Sequence, residues 1–377
     1  REGRLSSFLR GELRMSAGLM NKLKWGDNLR VNGIPCRTNH PVLPGDIITV
    51  ALDEPEPDYP AQDGPLTVLY EDDHLLAVDK PAGMASHDVV WRVRKLFGTK
   101  KVGHTGTLDP LATGVLVVLL GRAAKACEYV SHDEKVYEAT LRLGLTTDTE
   151  DTTGKVLTEQ PVSLTEEELQ NILPRFRGDI LQVPPMYSAL KKDGVRLYDL
   201  ARQGVEVERE ARPVTIFELE LLPDGTDGTD PKAGEYVLDV TCSGGTYIRT
   251  LIDDIGATLG CGASMAALLR TQVGVFTLDR AVTLEDLEDA RDAGTLDERV
   301  MPLEEALCFL DAVTVTAPQG NRFRNGGELF LDRLHFPETP DDGALLRVVS
   351  QNQEFLGLGE VCRETGTLTV RRVFVNR

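Results

Sequence analysis

A run of prolines and acids, Asp53-Glu54-Pro55-Glu56-Pro57-Asp58-Tyr59-Pro60, constrains this chain most, because no regular helix or central strand passes through it. Each proline removes a backbone donor and the acids repel one another, so 53–65 reads as an extended linker without a core. The linker separates a short N-terminal part from a long remainder. A chain of 377 residues exceeds one ordinary compact domain, so further division is expected. The expected boundaries are a small module over 1–52, the linker, a large domain over 66–310 and a small β-rich domain over 311–377.

Local pattern fills in these parts. Residues 4 to 51 read as helix, turn, helix and short strands: Arg4-Leu5-Ser6-Ser7-Phe8-Leu9, Met20 to Leu23, Leu29 to Gly33, and Pro44 to Val50. From Leu66, strand-like runs (Thr67 to Tyr70; Leu75 to Val78) alternate with turns and helices. Thr165 to Glu168 has the spacing of a capping box ahead of Leu169, Ile172 and Leu173. An α+β domain with a mainly antiparallel sheet is implied. Asp224 to Asp230 lacks the ligand spacing of a calcium loop and reads as a hairpin loop. After a helix-like Leu303 to Phe309, the runs Leu345 to Val349 and Phe355 to Val361 are strand-like.

Composition removes several function classes. No stretch approaches the apolar length of a membrane span, and Arg1-Glu2-Gly3-Arg4 has no apolar secretory core. The chain begins without Met, so a processed or truncated product is expected. Six scattered cysteines, Cys36, Cys127, Cys242, Cys261, Cys308 and Cys362, form no C-x-x-C pair, which points to reduced, buried cytosolic thiols rather than disulfides or zinc. A net charge of −19 runs against nucleic-acid binding as a whole-chain property. Arg92, Arg94, Lys95, Lys100 and Lys101 nevertheless form a run without an acid, which reads either as a solvated helix face or as a phosphate-contacting surface.

The most informative segment is Gly103-His104-Thr105-Gly106-Thr107-Leu108-Asp109-Pro110-Leu111-Ala112-Thr113-Gly114-Val115-Leu116. Its small residues allow backbone to approach a ligand, and its one carboxylate stands at what reads as a turn into a helix. Taken alone, Asp109 is an N-cap followed by Pro110 at the first helical position. Likewise Arg249 alone reads as a first-turn residue of a helix burying Ile248, Leu251, Ile252 and Ile255, paired with Asp253. Tyr137 alone is a core aromatic on a strand where Tyr137, Ala139, Leu141 and Leu143 share a face.

The whole string, however, resembles the catalytic motif of the TruB family of bacterial tRNA pseudouridine-55 synthases. The resemblance runs from Asp79-Lys80-Pro81-Ala82-Gly83-Met84 through Lys135-Val136-Tyr137, Thr147 to Gly154, Val183 to Lys191, and Ser243-Gly244-Gly245-Thr246-Tyr247-Ile248-Arg249-Thr250 to the C-terminus. It implies a pseudouridine synthase catalytic fold that isomerises uridine in the tRNA T stem-loop, without metal or other cofactor. By resemblance Asp109 is the nucleophile and Arg249 its ion-pair partner. Such a pairing suits a carboxylate closed off from water, which stays charged only beside a cation. Resemblance also makes Tyr137 the ring that stacks on the extruded base and Tyr247 a base for the final deprotonation. His104 becomes an RNA contact and Leu268 an apolar pocket wall. Ala124 and Leu269 stand where the family favours Thr and Arg.

The tail from about Ala312 resembles the PUA-like domain of this family, which contacts the tRNA acceptor arm. The N-terminal part resembles an S4-like RNA-binding module, and Val68 to Met84 resembles the start of RluA-type ribosomal pseudouridine synthases, although their H-R-L-D string is absent. The expectation is therefore a cytoplasmic monomer acting on tRNA. Two alternatives remain open: ribosomal RNA chosen through the N-terminal module, and a non-catalytic tRNA-binding or folding chaperone.

Overall fold

The computed structural model describes residues 74–130, 134–223 and 234–374, together with 3–5, 9, 29–38, 40–43 and 45–50. The expected elements at 6–8, 20–23, 53–72 and 224–230 lie outside these residues. The chain divides into two units, Arg1–Pro65 and Leu66–Arg377.

In the first unit Asn32 (φ 53°) and Gly33 (φ 79°) turn the chain between strands Leu29–Val31 and Ile34–Pro35, and Ile48–Val50 pairs with the other edge of Leu29–Val31. A two-residue hairpin of this kind needs left-handed backbone at both positions, which Asn-Gly supplies. Asn32 Nδ2 donates to Asp46 Oδ1 at 2.8 Å, and Asn32 Oδ1 accepts from the Ile47 amide at 2.9 Å. The Asn32-Gly33 turn and the segment at Asp46 and Ile47 therefore hold each other. Leu5, Leu9, Leu29, Val31 and Val42 form the small core of this unit.

The second unit is built on a mixed sheet of ten strands among the described residues. In chain order the labelled elements are β1 (His74–Lys80), α1 (Ser86–Leu96), β2 (Val102–His104), β3 (Thr113–Leu120), β4 (Lys135–Leu143), β5 (Gly178–Gln182), β6 (Arg212–Leu221) and β7 (Glu235–Cys242). They continue with α2 (Ile248–Leu259), β8 (Ala263–Val273), β9 (Phe276–Thr277), α3 (Leu284–Ala293) and β10 (Met301–Pro302). The sheet runs β5-β6-β7-β4-β8-β3-β1-β10, with β2 paired to β3 and β9 to β8. All pairs are antiparallel except β8 with β3, where Leu269 faces Thr113 and Arg270 faces Gly114. The expected mainly antiparallel α+β architecture is what the chain adopts.

Burial explains the strand sequences. β1 and β3 lie between two cores, so both of their faces are apolar. Leu76, Val78, Leu116, Val118 and Leu120 enter a core with α1, α2 and α3, while Leu75, Ala77, Val115, Val117 and Leu119 enter the opposite one. β4 buries every second residue, Tyr137, Ala139, Leu141 and Leu143 among them, as its alternation predicts. The apolar stripe of α2 is buried, and the Thr165–Glu168 capping box forms, with the Thr165 amide donating to Glu168 at 2.8 Å.

Beyond β10 a five-stranded sheet forms from β11 (Ala312–Val315), β12 (Leu329–Phe330), β13 (Leu345–Ser350), β14 (Phe355–Cys362) and β15 (Thr367–Val373), in the order β11-β13-β14-β15-β12. Leu358 and Phe374 of this region pack with Leu75, Val117 and Leu119, and Arg372 pairs with Glu128 at 2.8 Å. The C-terminal sheet is thereby fixed to the back of the larger one.

Three expectations need correction. The helix expected over Leu303 to Phe309 covers only Leu303–Ala306. Cys242 alone of the six thiols is buried; Cys308 is exposed and the others are intermediate. Asp109-Pro110 opens no helix: the Ala112 amide donates to the Asp109 carbonyl at 3.1 Å, closing one turn that runs into β3. β3 has three strands to pair with, β8 at Thr113 and Gly114 and then β1 and β2 along its apolar, β-branched run, and that tertiary pairing outweighs the local cap signal.

Gly114 permits this junction. Its φ is +94°, and a Cβ there would stand 2.2 Å from the Arg270 carbonyl oxygen. Gly114→Ala is therefore expected to lower the unfolding free energy by about 2–4 kcal/mol, measured by urea titration. A loss below about 0.5 kcal/mol would show that β3 and β8 can separate freely at this point.

Candidate active site

The loop between β2 and β3 carries Asp109, and four other segments fasten it. Ser86 Oγ, at the start of α1, donates to the Leu108 carbonyl and accepts from the Leu108 amide, both at 2.9 Å. Lys80 Nζ, at the end of β1, donates to the carbonyls of Pro81 (2.9 Å), Met84 (2.7 Å) and Pro110 (3.4 Å). Arg270, on β8, donates through Nε to the Val115 carbonyl at 2.7 Å and through Nη2 to Gly106 at 3.2 Å. Each clamp satisfies loop carbonyls that strand pairing leaves open. The fourth is Arg249.

Arg249 lies in the first turn of α2 and reaches Asp109 with two parallel bonds, Nε to Oδ2 at 2.8 Å and Nη2 to Oδ1 at 3.2 Å. Its remaining bonds go to main chain: Nη1 to the Thr149 carbonyl at 2.8 Å and Nη2 to the Tyr187 carbonyl at 2.9 Å. The guanidinium is enclosed, with a side-chain exposure of 5%, whereas the Asp109 side chain keeps 33%. The carboxylate therefore opens toward solvent while its cation is walled in. A fork-shaped pair of this kind fixes the carboxylate in orientation as well as charge. The i+4 alternative of Arg249 with Asp253 is not formed.

The other expected site residues occupy the same region. Tyr137 on β4 faces Arg270 in strand register, its ring centroid 6.0 Å from the guanidinium carbon. Burial raises its phenol above the ordinary range. Tyr247 caps α2, and the Gln182 side chain holds it on both sides, accepting from its amide at 3.0 Å and donating to its carbonyl at 3.2 Å. Burial raises this phenol too, while Arg249 and Arg212 oppose the rise. His104, at the end of β2, is pushed down first by burial and then by the Arg270 charge, both of which favour its neutral form. Leu268 is buried on β8 beside Ala139. Among the described residues no cluster of His, Cys, Asp or Glu could hold a metal ion.

The basic run lies on the exposed part of α1 and the following turn. Arg92, Arg94, Lys95, Lys100 and Lys101 are all exposed, with Lys95 Nζ 4.2 Å above the half-exposed Trp91 ring.

Comparison with known proteins agrees with this geometry. The family model described as TruB family pseudouridylate synthase (N terminal domain) matches residues 94–248. Those described as tRNA pseudouridylate synthase B C-terminal domain and Pseudouridine synthase II TruB, C-terminal, match 249–308 and 312–374. The tRNA pseudouridine synthase B of Pseudomonas aeruginosa is 45% identical over 302 residues, covering 79% of this chain and 95% of that one. The Clostridium perfringens protein of the same name is 46% identical over 288 residues, covering 76% and 94%. The chain belongs to the TruB family.

Solved structures agree at the level of fold. A Cbf5-Nop10-Gar1 complex matches with a TM-score of 0.64 at 26% identity, covering 86% of this chain and 91% of that one. An H/ACA RNP bound to a substrate RNA containing 2′-deoxyuridine matches with a TM-score of 0.62 at 25% identity, covering 81% and 86%.

Within this TruB-family chain, sequence reading did not single out Lys80, Ser86, Gln182 or Arg270 as site-building residues, because their partners are carbonyls and amides rather than side chains. Lys80 is fully buried, and burial pulls its ammonium down to about 8 although the Asp109 charge opposes this. Its folded value lies below the ordinary 10.5, so its contribution to stability is full above 10.5 and is lost as pH falls through about 8. The unfolding free energy of wild type minus that of Lys80→Met should therefore rise from pH 8 to pH 10.5, read by urea titration. A flat difference would refute the buried, depressed lysine.

Proposed function

We propose that this protein isomerises uridine to pseudouridine in the T stem-loop of tRNA, at position 55, with Asp109 as nucleophile. The observation that carries this reading is the half-open Asp109 carboxylate gripped by an enclosed Arg249. Membership of the TruB family supports the substrate, as do the names of relatives that it matches over nearly their whole length.

The reaction rearranges the nucleoside without adding or removing atoms overall. Asp109 forms a covalent adduct with sugar or base, the C1′–N1 bond breaks, the uracil turns, C5 bonds to C1′, and the bond to Asp109 breaks to return its carboxylate. The hydrogen on C5 leaves as a proton and N1 gains one. Tyr137 is proposed to stack on the extruded base, where one aromatic returns ~1–3 kcal/mol toward a flipping cost of a few kcal/mol. Tyr247 is proposed to take the C5 proton: burial keeps it a phenol at rest, and Arg249 and Arg212 favour the phenolate that the transfer requires. His104 is proposed to contact RNA, and Leu268 to wall the pocket. None of these steps calls on a metal or redox cofactor.

The exposed basic run of α1 is proposed to meet phosphate, which reconciles an acidic chain with an RNA substrate. Residues 311–377 are proposed to act as the PUA-like domain toward the acceptor arm, and 1–52 as an S4-like RNA-binding module, joined through 53–65 to a catalytic domain over 66–310. A cytoplasmic monomer is the proposed working form.

The test is tritium release from a T stem-loop RNA labelled at C5 of uridine, because the new C–C bond expels that hydrogen. Wild type is expected to release it and Asp109→Asn to lose at least about a thousandfold in rate while still binding the RNA. Release by Asp109→Asn at the wild-type rate would remove Asp109 as nucleophile. Release only from ribosomal RNA fragments would shift the substrate to that reached through the N-terminal module.

A further inference from the structure

The turn that follows β4 and its short continuation Leu145–Thr147 contains a second acid, Glu150, with no place in the chemistry above. Its neighbour Asp151 has a plain structural use. It accepts from the Thr153 amide and the Thr149 hydroxyl at 2.9 Å each, and from the Thr153 hydroxyl at 2.5 Å, closing the turn on itself. Glu150 instead points out of the turn toward α2, where its carboxylate accepts from Thr250 Oγ1 at 2.8 Å.

Glu150 has φ +63°, a left-handed backbone that disfavours any residue with a Cβ. A glycine would adopt it freely, so the fold gives no reason of its own for a long acidic side chain here. Three bonds hold the conformation: the Glu150 amide donates to the Thr147 carbonyl at 3.4 Å, the Met265 amide on β8 donates to the Glu150 carbonyl at 3.0 Å, and Thr250 holds the carboxylate.

The peptide unit just before this residue carries the Thr149 carbonyl, which accepts from Arg249 Nη1 at 2.8 Å. Its direction depends on the φ of Glu150. Two successive residues of the turn, Thr149 and Glu150, thus grip two successive residues of the helix, Arg249 and Thr250. One rung is a carbonyl on the guanidinium that holds Asp109, and the other is a carboxylate on a hydroxyl.

We propose that Glu150 is a positioning residue for the reaction: tied by Thr250, it aims the Thr149 carbonyl and so keeps the Arg249 fork aligned on Asp109. This rests on the isomerase reading above. Glu150 itself touches no reacting atom.

The surroundings make this device sensitive to pH. Burial lifts Glu150 from the ordinary 4.5 to about 7, and Asp253 on α2 adds to the rise. The Thr250 hydroxyl, Arg249 and Arg209 act the other way; from β8 the neighbour is the uncharged Met265. Above pH 7 the Thr250 bond is charge-assisted, and below it becomes an ordinary neutral bond of roughly half the strength. The stability sign is opposite. A carboxyl raised in the folded state costs nothing below 4.5 and becomes a growing burden as pH rises through about 7.

The test is the single-turnover rate of tritium release at saturating T stem-loop RNA, from pH 5.5 to 9, for wild type, Glu150→Gln and Thr250→Val, with thermal midpoints and RNA affinities alongside. Wild type should lose rate as pH falls through about 7. Glu150→Gln should be slower about fivefold at pH 8, merge with wild type at pH 6, and bind RNA with unchanged affinity. Its thermal midpoint at pH 8 should equal or exceed that of wild type, which a merely structural glutamate would not allow. Thr250→Val should show the same loss of rate at pH 8. A wild-type rate and pH profile in Glu150→Gln overturns the proposal, as does a uniform loss at every pH that follows a lowered midpoint. A wild-type chain that releases no tritium overturns the isomerase reading itself, and with it this role for Glu150.

Discussion

The site depends on one ion pair, Asp109 with Arg249, formed between residues 140 apart in sequence. Neither partner is placed by its own local structure. Asp109 sits in an irregular loop whose carbonyls are held by Lys80, Ser86 and Arg270, and Arg249 is aimed by the carbonyls of Thr149 and Tyr187. Removing Asp109 leaves the enclosed guanidinium without its partner, at a cost of about 3–5 kcal/mol, so the pair binds the β2–β3 loop and α2 into one object. The sheet serves this end. β8 runs parallel to β3 while pairing antiparallel with β4, which brings Arg270, Tyr137 and the Asp109 loop side by side.

Charge in this chain is organised by location. The whole carries −19, yet the walls of the site are cationic, with Lys80, Arg249 and Arg270 all buried behind or beside the one half-open carboxylate. Such cations are costly to desolvate, and each meets the cost with main-chain carbonyls, Lys80 and Arg249 with the Asp109 charge as well. The depressed Lys80 shows that the compensation is incomplete. An anionic substrate approaching this cleft therefore meets fixed positive charge in a low-dielectric wall, which is where electrostatic preorganisation has most effect.

Much of this was legible in the sequence. The alternation of Tyr137, Ala139, Leu141 and Leu143 gave strand β4, the stripe of Ile248, Leu251, Ile252 and Ile255 gave α2, and Thr165 with Glu168 gave a capped helix start. The Asp109 and Arg249 strings were legible through family resemblance, and the pair they form is the one the resemblance implied. The Asp109-Pro110 helix start was misread because a cap signal weighs about 1 kcal/mol, less than three strand pairings and two cores can impose on the strand that follows. Lys80, Ser86, Gln182 and Arg270 escaped notice for a different reason. Their partners are backbone atoms brought close only by the fold, and no spacing in the sequence announces a carbonyl.

The most direct test of the central claim is the single-turnover rate of Arg249→Lys on a T stem-loop RNA at saturation. A lysine keeps the charge but cannot donate two parallel bonds to Asp109 while also meeting the Thr149 and Tyr187 carbonyls. If orientation of the carboxylate by the fork is what matters, the rate falls about a hundredfold with RNA affinity unchanged. A wild-type rate in Arg249→Lys would show that a nearby positive charge suffices, and that the geometry on which this account rests is incidental.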